Sequence, residues 1–218
     1  GGIVPATVAG GGILSGKAGI VNVHMGDGVR GLSLLDRIVT ETEIPITQFV
    51  PTHINRNPTL FEEGIAWAKR GGYVDFTTST VPAFLEEGEV KCSEGLRRML
   101  EAGVDVSRIT FTSDGQGSLP AFDATGALAR LDIGRVTSLF DAVRDAVREE
   151  GLALDVALQT ITANPARTLK LRGKGQVVIG ADADLVLADP KTLAIRGVIA
   201  KGRWLMRDRE PTARGTFE

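Results

Sequence analysis

Apolar and polar positions follow two different periods along this chain. From Gly19 to Arg135, short β-rich runs are separated by amphipathic stretches of helical period. Ile20-Val21-Asn22-Val23-His24 reads as a strand ending in a polar residue. A helix over Leu32–Thr42 follows, with Leu35, Ile38, Val39 and Thr42 on one face. Ile46–His53 is the next predicted strand. The helix after it runs from about Pro58 to Arg70, opened by proline and closed by Gly71-Gly72. Tyr73–Thr77 alternates as a half-buried strand does, Ser93–Ala102 is a helix stopped at Gly103, and Ile109–Thr112 is a further strand.

Strands separated by helices of this length imply βα units and a parallel sheet. A closed (β/α)8 barrel and an open doubly wound sheet can each contain four such units. The doubly wound sheet normally places a glycine-rich phosphate loop after its first strand. Met25-Gly26-Asp27-Gly28 is not read as that fingerprint, and the chain is read as having no GxGxxG or GxxxxGK(S/T), which favours the barrel. Beyond Asp114 a polar stretch, Gly115–Gly134, has little periodicity and the length of an active-site loop. Helices are expected over Val136–Glu149 and Leu154–Ile161, and Asn164-Pro165-Ala166 reads as an N-cap with proline at the first helical position.

The pattern changes at Gly173. Gln176–Ile179, Ala183–Ala188, Ile195–Ala200 and Arg203–Met206 are short strands bounded by Gly, Asp and Pro, which suits a small β domain. Three segments are therefore expected: an unassigned glycine-rich start over residues 1–12, a partial barrel over 13–172 and a small β domain over 173–218.

Composition narrows the function classes. The 218 residues are 43% hydrophobic and 24% charged, ordinary for a globular protein with a real core. Lys+Arg 25 against Asp+Glu 27, without a long run of like charge, gives no footprint for nucleic acid or an anionic membrane. The single cysteine, Cys92, cannot form an internal disulfide, and it reads as a small filler at the start of a helix. A reducing compartment such as the cytoplasm is expected. The start lacks the basic region of a signal peptide and the length of a membrane span. Without an initiating Met it reads as processed, cloned or truncated.

The chemistry concentrates at strand ends. The chain has two histidines, and each closes a predicted strand, His24 after Ile20–Val23 and His53 after Phe49–Thr52; Asp114 closes a third. In a (β/α)8 barrel the C-terminal strand ends converge on the active-site mouth. Two imidazoles and a carboxylate from different strands are suitable ligands for a divalent metal such as zinc. Each also has an ordinary reading, the histidines as hydrogen-bonding structural residues and Asp114 as a turn residue.

Three stretches carry a family resemblance. Lys17–Asp27 resembles the fifth barrel strand of the isoaspartyl (β-aspartyl) dipeptidases, Pro51-Thr52-His53-Ile54-Asn55-Arg56-Asn57 their sixth, and Ser113–Ser118 their eighth. Gly175–Asp189 is similar to the tail of metal-dependent amidohydrolases in general. The resemblance implies an α/β fold, the C-terminal part of a (β/α)8 TIM-like amidohydrolase barrel followed by a small β domain. It implies zinc-dependent hydrolysis of β-aspartyl dipeptides by a metal-activated hydroxide, at a centre that is binuclear in the complete enzyme. Carried over by position, His24, His53 and Asp114 are metal ligands, and Asp114 is also the catalytic acid/base. Arg56 would hold a substrate carboxylate and Ser118 would donate a hydrogen bond to the same end. Both also read as plain loop residues. A homo-oligomer is implied for the full-length family protein.

The chain departs from the family pattern in two respects. It has no HxH motif, and Lys17 lies before the fifth strand, so it is not assigned as the carboxylated lysine. Four βα units cannot close a barrel, and the first strand would expose an unpaired edge. The chain is expected to be an incomplete fragment with little or no activity alone. Two other readings stand beside the dipeptidase: a cyclic amidohydrolase of dihydroorotase or hydantoinase type, and a non-catalytic remnant that binds a partner through its open sheet edge.

Overall fold

The structure is a computed structural model that describes residues 3–123 and 125–215. Gly1 and Gly2 of the glycine-rich start, Ala124 of the polar stretch and the last three residues of the expected β domain lie outside the described residues. The chain divides into two compact units, one up to Lys170 and one from Leu171.

The first unit opens with helix α1, Ile3–Ser15, where the glycine-rich start carried no assignment. Strand β1 (Val21–His24) and helix α2 (Ser33–Glu41) form the first βα unit. Strand β2 (Phe49–Thr52) leads to α3 (Pro58–Lys69), and β3 (Val74–Thr77) leads to the short α4 (Pro82–Glu86) and then α5 (Cys92–Glu101). Strand β4 is Ile109–Thr112. The start of α3 follows local rules: Asn57 caps it by accepting from Leu60 N at 2.9 Å, and Pro58 takes the first turn.

The four strands run parallel in two ladders, β1 with β2 (His24 opposite Thr52) and β3 with β4 (Thr77 opposite Thr112). Between β2 and β3, side chains replace the ladder. Ile54 N donates to Asp75 O at 3.1 Å. Asn55 accepts from Thr77 N at 2.9 Å and donates to Thr77 O at 3.0 Å, as a paired strand residue would.

The expected half-burial of Tyr73–Thr77 is corrected: Val74, Asp75 and Phe76 are all buried. The alternation separates two buried environments, as expected of a parallel sheet covered on both faces. Val74 and Phe76 belong to the apolar cluster with Phe61, Leu96, Met99, Ile109 and Phe111. Phe76 stacks on Phe111 at 5.7 Å between ring centroids. Asp75 and Thr77 point the other way, into a polar interior.

Three other expectations are also corrected. Gly115–Gly134 is an antiparallel hairpin of β5 (Ser118–Phe122) and β6 (Leu128–Ile133). Its turn is built by Asp123, whose Oδ1 accepts from Thr125 N at 2.8 Å and Ala127 N at 3.1 Å. After α6 (Ser138–Arg148) and α7 (Leu154–Gln159), helix α8 spans Ala163–Thr168 with Thr162 at its cap. Asn164 lies inside α8, fully buried, and donates to Val106 O at 2.7 Å and Ile109 O at 2.8 Å. Gly26-Asp27-Gly28-Val29-Arg30-Gly31, passed over above, does have GxGxxG spacing after β1. The entry to α2 is filled by a carboxylate of the chain itself, because Leu32 N donates to Glu63 Oε2 at 2.7 Å. That contact uses the amide a phosphate would need.

The second unit is a four-stranded antiparallel sheet of β7 (Leu185–Ala188), β8 (Ile195–Ala200), β9 (Arg203–Arg207) and β10 (Glu210–Pro211), ordered β10-β9-β8-β7. Gln176–Ile179 is not a strand, and Val177 and Ile179 are exposed. Among the described residues, no helix is long and apolar enough to cross a membrane.

Candidate active site

The C-terminal ends of β1, β2 and β4 deliver His24, His53 and Asp114 to one rim. The imidazoles meet, with His24 Nδ1 and His53 Nε2 3.0 Å apart. The other ring nitrogen of His53, Nδ1, is hydrogen-bonded to Thr77 Oγ1 at the end of β3. His53 and Asp114 both leave their strands with left-handed backbone, φ 65° and 47°. Such a conformation costs a non-glycine residue about 1–3 kcal/mol and persists only where the surroundings over-determine it. It turns each chain sharply: Arg56 N donates to His53 O at 3.0 Å, and Gly117 N to Asp114 O at 2.8 Å. Gly117 and Gly134 make room for the second turn. A Cβ on either would come within 2.7 and 2.5 Å of Asp114 O.

A pocket of about 470 Å³ opens beside this rim. His53, Arg56, Asp114 and Ser118 line it, together with Asn55, Thr77, Ser79, Glu89 and the apolar Phe84, Leu119 and Phe122. Its size suits a small ligand. Arg56 faces Asp27 across it, Nη1 to Oδ2 3.6 Å, and Asn57 Nδ2 donates to the same carboxylate at 3.3 Å. Both partners of the ion pair are largely exposed, so it adds little stability and leaves the guanidinium free to change partners. Ser118 begins β5, so the hairpin forms one wall.

Burial pushes the imidazole of His53 below its ordinary pKa, and the Arg56 charge pushes it the same way; Asp114 opposes both. Burial raises Glu89, and Arg56 partly offsets it. Asp75, beneath the rim, is pushed up to about 6 by burial, against hydrogen bonds from Thr110, Thr52 and Thr112.

The donors fit a metal in part. Adjacent nitrogens on a tetrahedral ion with bonds of roughly 2.0–2.1 Å stand about 3.3 Å apart, a few tenths of an ångström more than the 3.0 Å between His24 Nδ1 and His53 Nε2. The Thr77 contact at His53 Nδ1 leaves Nε2 to bind, the usual arrangement around a ligating histidine. Asp114 does not complete the set: among the described residues, no three His, Cys, Asp or Glu are placed to hold a metal ion. Its carboxylate is folded back against Gly117 instead. The three-ligand expectation is therefore assembled only in its two imidazoles.

Comparison with known proteins decides the family. Residues 52–205 match the model of the amidohydrolase family. The chain belongs to the amidohydrolase family. Amidohydrolases are hydrolytic enzymes, and the first unit is accordingly a portion of a TIM-type barrel. The chain is similar to a β-aspartyl dipeptidase from Fervidobacterium islandicum AW-1, solved in complex with a β-Asp-Leu dipeptide. Identity is 42% and the TM-score 0.87, over 98% of this chain and 55% of that one. A second relative, an allantoinase from Enterococcus faecalis, is 36% identical over 131 residues, 54% of this chain and 28% of that one. A zinc-bound adenosine deaminase from Xanthomonas campestris shares the fold at 16% identity and a TM-score of 0.58. The chain thus spans about half the length, or less, of these relatives. The resemblance to β-aspartyl dipeptidases read from the strand-end motifs is borne out.

The strand-end residues of this candidate site were readable in the sequence, whereas Thr77, Asn55, Glu89 and Asp75 were not singled out. Thr77 carried a signal, because it closes a strand as His24 and His53 do. Asp75 carried another, a lone carboxylate inside the run Val74-Asp75-Phe76.

Proposed function

We propose that this chain forms part of a zinc-dependent β-aspartyl dipeptidase, and that His24 and His53 hold metal beside the pocket. One observation carries the reading: Arg56 shares a small pocket with His53, Asp114 and Ser118. The substrate has carboxylates next to its scissile amide, and a planar guanidinium binds a carboxylate through two parallel hydrogen bonds. Arg56 exchanges Asp27 for that carboxylate, and Ser118 donates a further hydrogen bond from the hairpin wall. Asp114 takes a proton from the attacking water and returns it to the leaving amine. A bound divalent ion would lower the pKa of water and polarise the carbonyl. Its shell requires donors beyond the two imidazoles.

The test is hydrolysis of β-Asp-Leu and zinc content, measured for this chain and for one extended to the length of the Fervidobacterium enzyme. Allantoin and dihydroorotate serve as competing substrates. The reading expects β-Asp-Leu to be cleaved at least a hundredfold more efficiently than either cyclic amide by the extended protein, with this chain alone weak or inactive. The allantoinase match gives the cyclic-amide reading its support, and preferential opening of allantoin would replace the dipeptidase with it. If zinc binds to neither protein, the assignment of the histidines fails.

A further inference from the structure

Beneath the rim, at the centre of the four strands, lies the carboxylate of Asp75. Only 2% of the residue is exposed, and three threonine hydroxyls donate to it. Thr52 reaches it from β2, while Thr110 (2.6 Å) and Thr112 (2.8 Å) reach it from β4. The carbonyl of Asp75 accepts from Ile54 N at 3.1 Å. The residues on either side of His53, Thr52 and Ile54, are therefore both tied to Asp75. Thr112, two residues before Asp114, is tied to it as well. Thr77, two residues further along the same face of β3, meets His53 Nδ1.

This arrangement has no role in the chemistry proposed above. It lies where the two ladders meet without strand pairing, so side-chain bonds must set the separation of β2 from β3. A carboxylate suits that position because it accepts from hydroxyls on both sides at once, and such charge-assisted bonds are stronger than neutral ones.

We propose that Asp75 is the positioning residue of the site, gripping the strand ends on both sides so that His53 is held in its left-handed turn with its imidazole against His24. Asp75 touches no substrate and acts through Thr52, Ile54 and Thr112. The proposal rests on the reading of His24 and His53 as site residues. Its test follows their contact rather than turnover, so a wrong substrate assignment would leave the result intact.

The experiment uses the whole 218-residue chain. Two histidines give two sets of imidazole signals, and the cross-relaxation peak between the rings reports their contact, seen here as centroids 5.0 Å apart. Zn2+ affinity by competition with a chromophoric chelator is the second readout. Asp75→Asn keeps the shape and removes the charge. Thr52→Val keeps Asp75 and removes one donor. Thr160→Val, at a buried threonine whose hydroxyl donates to Ala157 O in its own helix turn and whose carbonyl, kept by the substitution, accepts from Phe111 N, controls for general loosening. Asp75→Asn is expected to lose the cross-peak and at least tenfold in Zn2+ affinity, Thr52→Val to lose part of both, and Thr160→Val to keep both. Retention of the cross-peak and of affinity within twofold in Asp75→Asn overturns the proposal, as does an equal loss in Thr160→Val. If Asp75→Asn does not fold, Thr52→Val decides: an unchanged cross-peak and affinity there overturn it.

Discussion

His53 is held through both ring nitrogens and through the backbone on either side of it, while Arg56, three residues on, is held by one exposed ion pair. Fixed and movable groups thus lie within a single turn. A point charge cannot reproduce the two-bond fork of a guanidinium, so Arg56→Lys is expected to raise KM for β-Asp-Leu about tenfold with kcat little changed. Steady-state kinetics of the complete enzyme would separate the two constants. Asp75 makes a different prediction. Its carboxyl binds a proton more readily folded than unfolded, about 6 against 3.8, so the folded state holds the extra proton between those values. Stability from this group is therefore full below about pH 4 and is lost as pH rises to about 6, on the order of 3 kcal/mol. Asp75→Asn should flatten that part of the stability curve, measured by urea unfolding at several pH values. The rim residues were legible in the sequence because they are polar side chains that end apolar runs. Asp75 was not, because the signal it carried, a carboxylate within an apolar run, looks like alternation toward solvent until the opposite face is known to be covered.

For the strands and helices, periodicity located the βα units, and their ends moved by only a few residues. The reason is visible in β3, where Val74 and Phe76 pack into the apolar cluster and fix the register. Phe76 lies 5.8 Å from Phe61 and 5.7 Å from Phe111, between centroids. Phe76→Ala is expected to cost about 3–5 kcal/mol, through lost burial and the cavity left behind, read as a fall in the urea midpoint. The hairpin β5–β6 was not legible. Leu128, Leu131 and Ile133 are exposed along β6, so no buried face imposes a period of two. The one local signal was Asp123 three residues before Gly126, an Asx-type turn. Gln176–Ile179 failed in the opposite way: an apolar β-branched run has the propensity for a strand, but propensity alone does not supply a partner.

Across the whole molecule, apolar burial is divided unequally between the two units. The first holds a cluster that includes four phenylalanines and Trp67. In the second, Leu193 is the one buried apolar side chain among the described residues. Each unit has one of the two tryptophans, Trp67 buried and Trp204 38% exposed. With so little apolar area removed from water, the second unit is expected to unfold first. Urea titrations of Trp67→Phe and Trp204→Phe, each followed by the fluorescence of the remaining tryptophan, should give separate midpoints, with the lower one from Trp204. The left-handed turns at His53 and Asp114 bear on how such a rim can change over generations. Outside glycine, that backbone region is visited most readily by Asn, Asp and His. The residue types that the bend tolerates are thus largely the types that bind metals or move protons. Drift at either position would tend to exchange one reactive side chain for another, which leaves the scaffold open to new chemistry without a new turn.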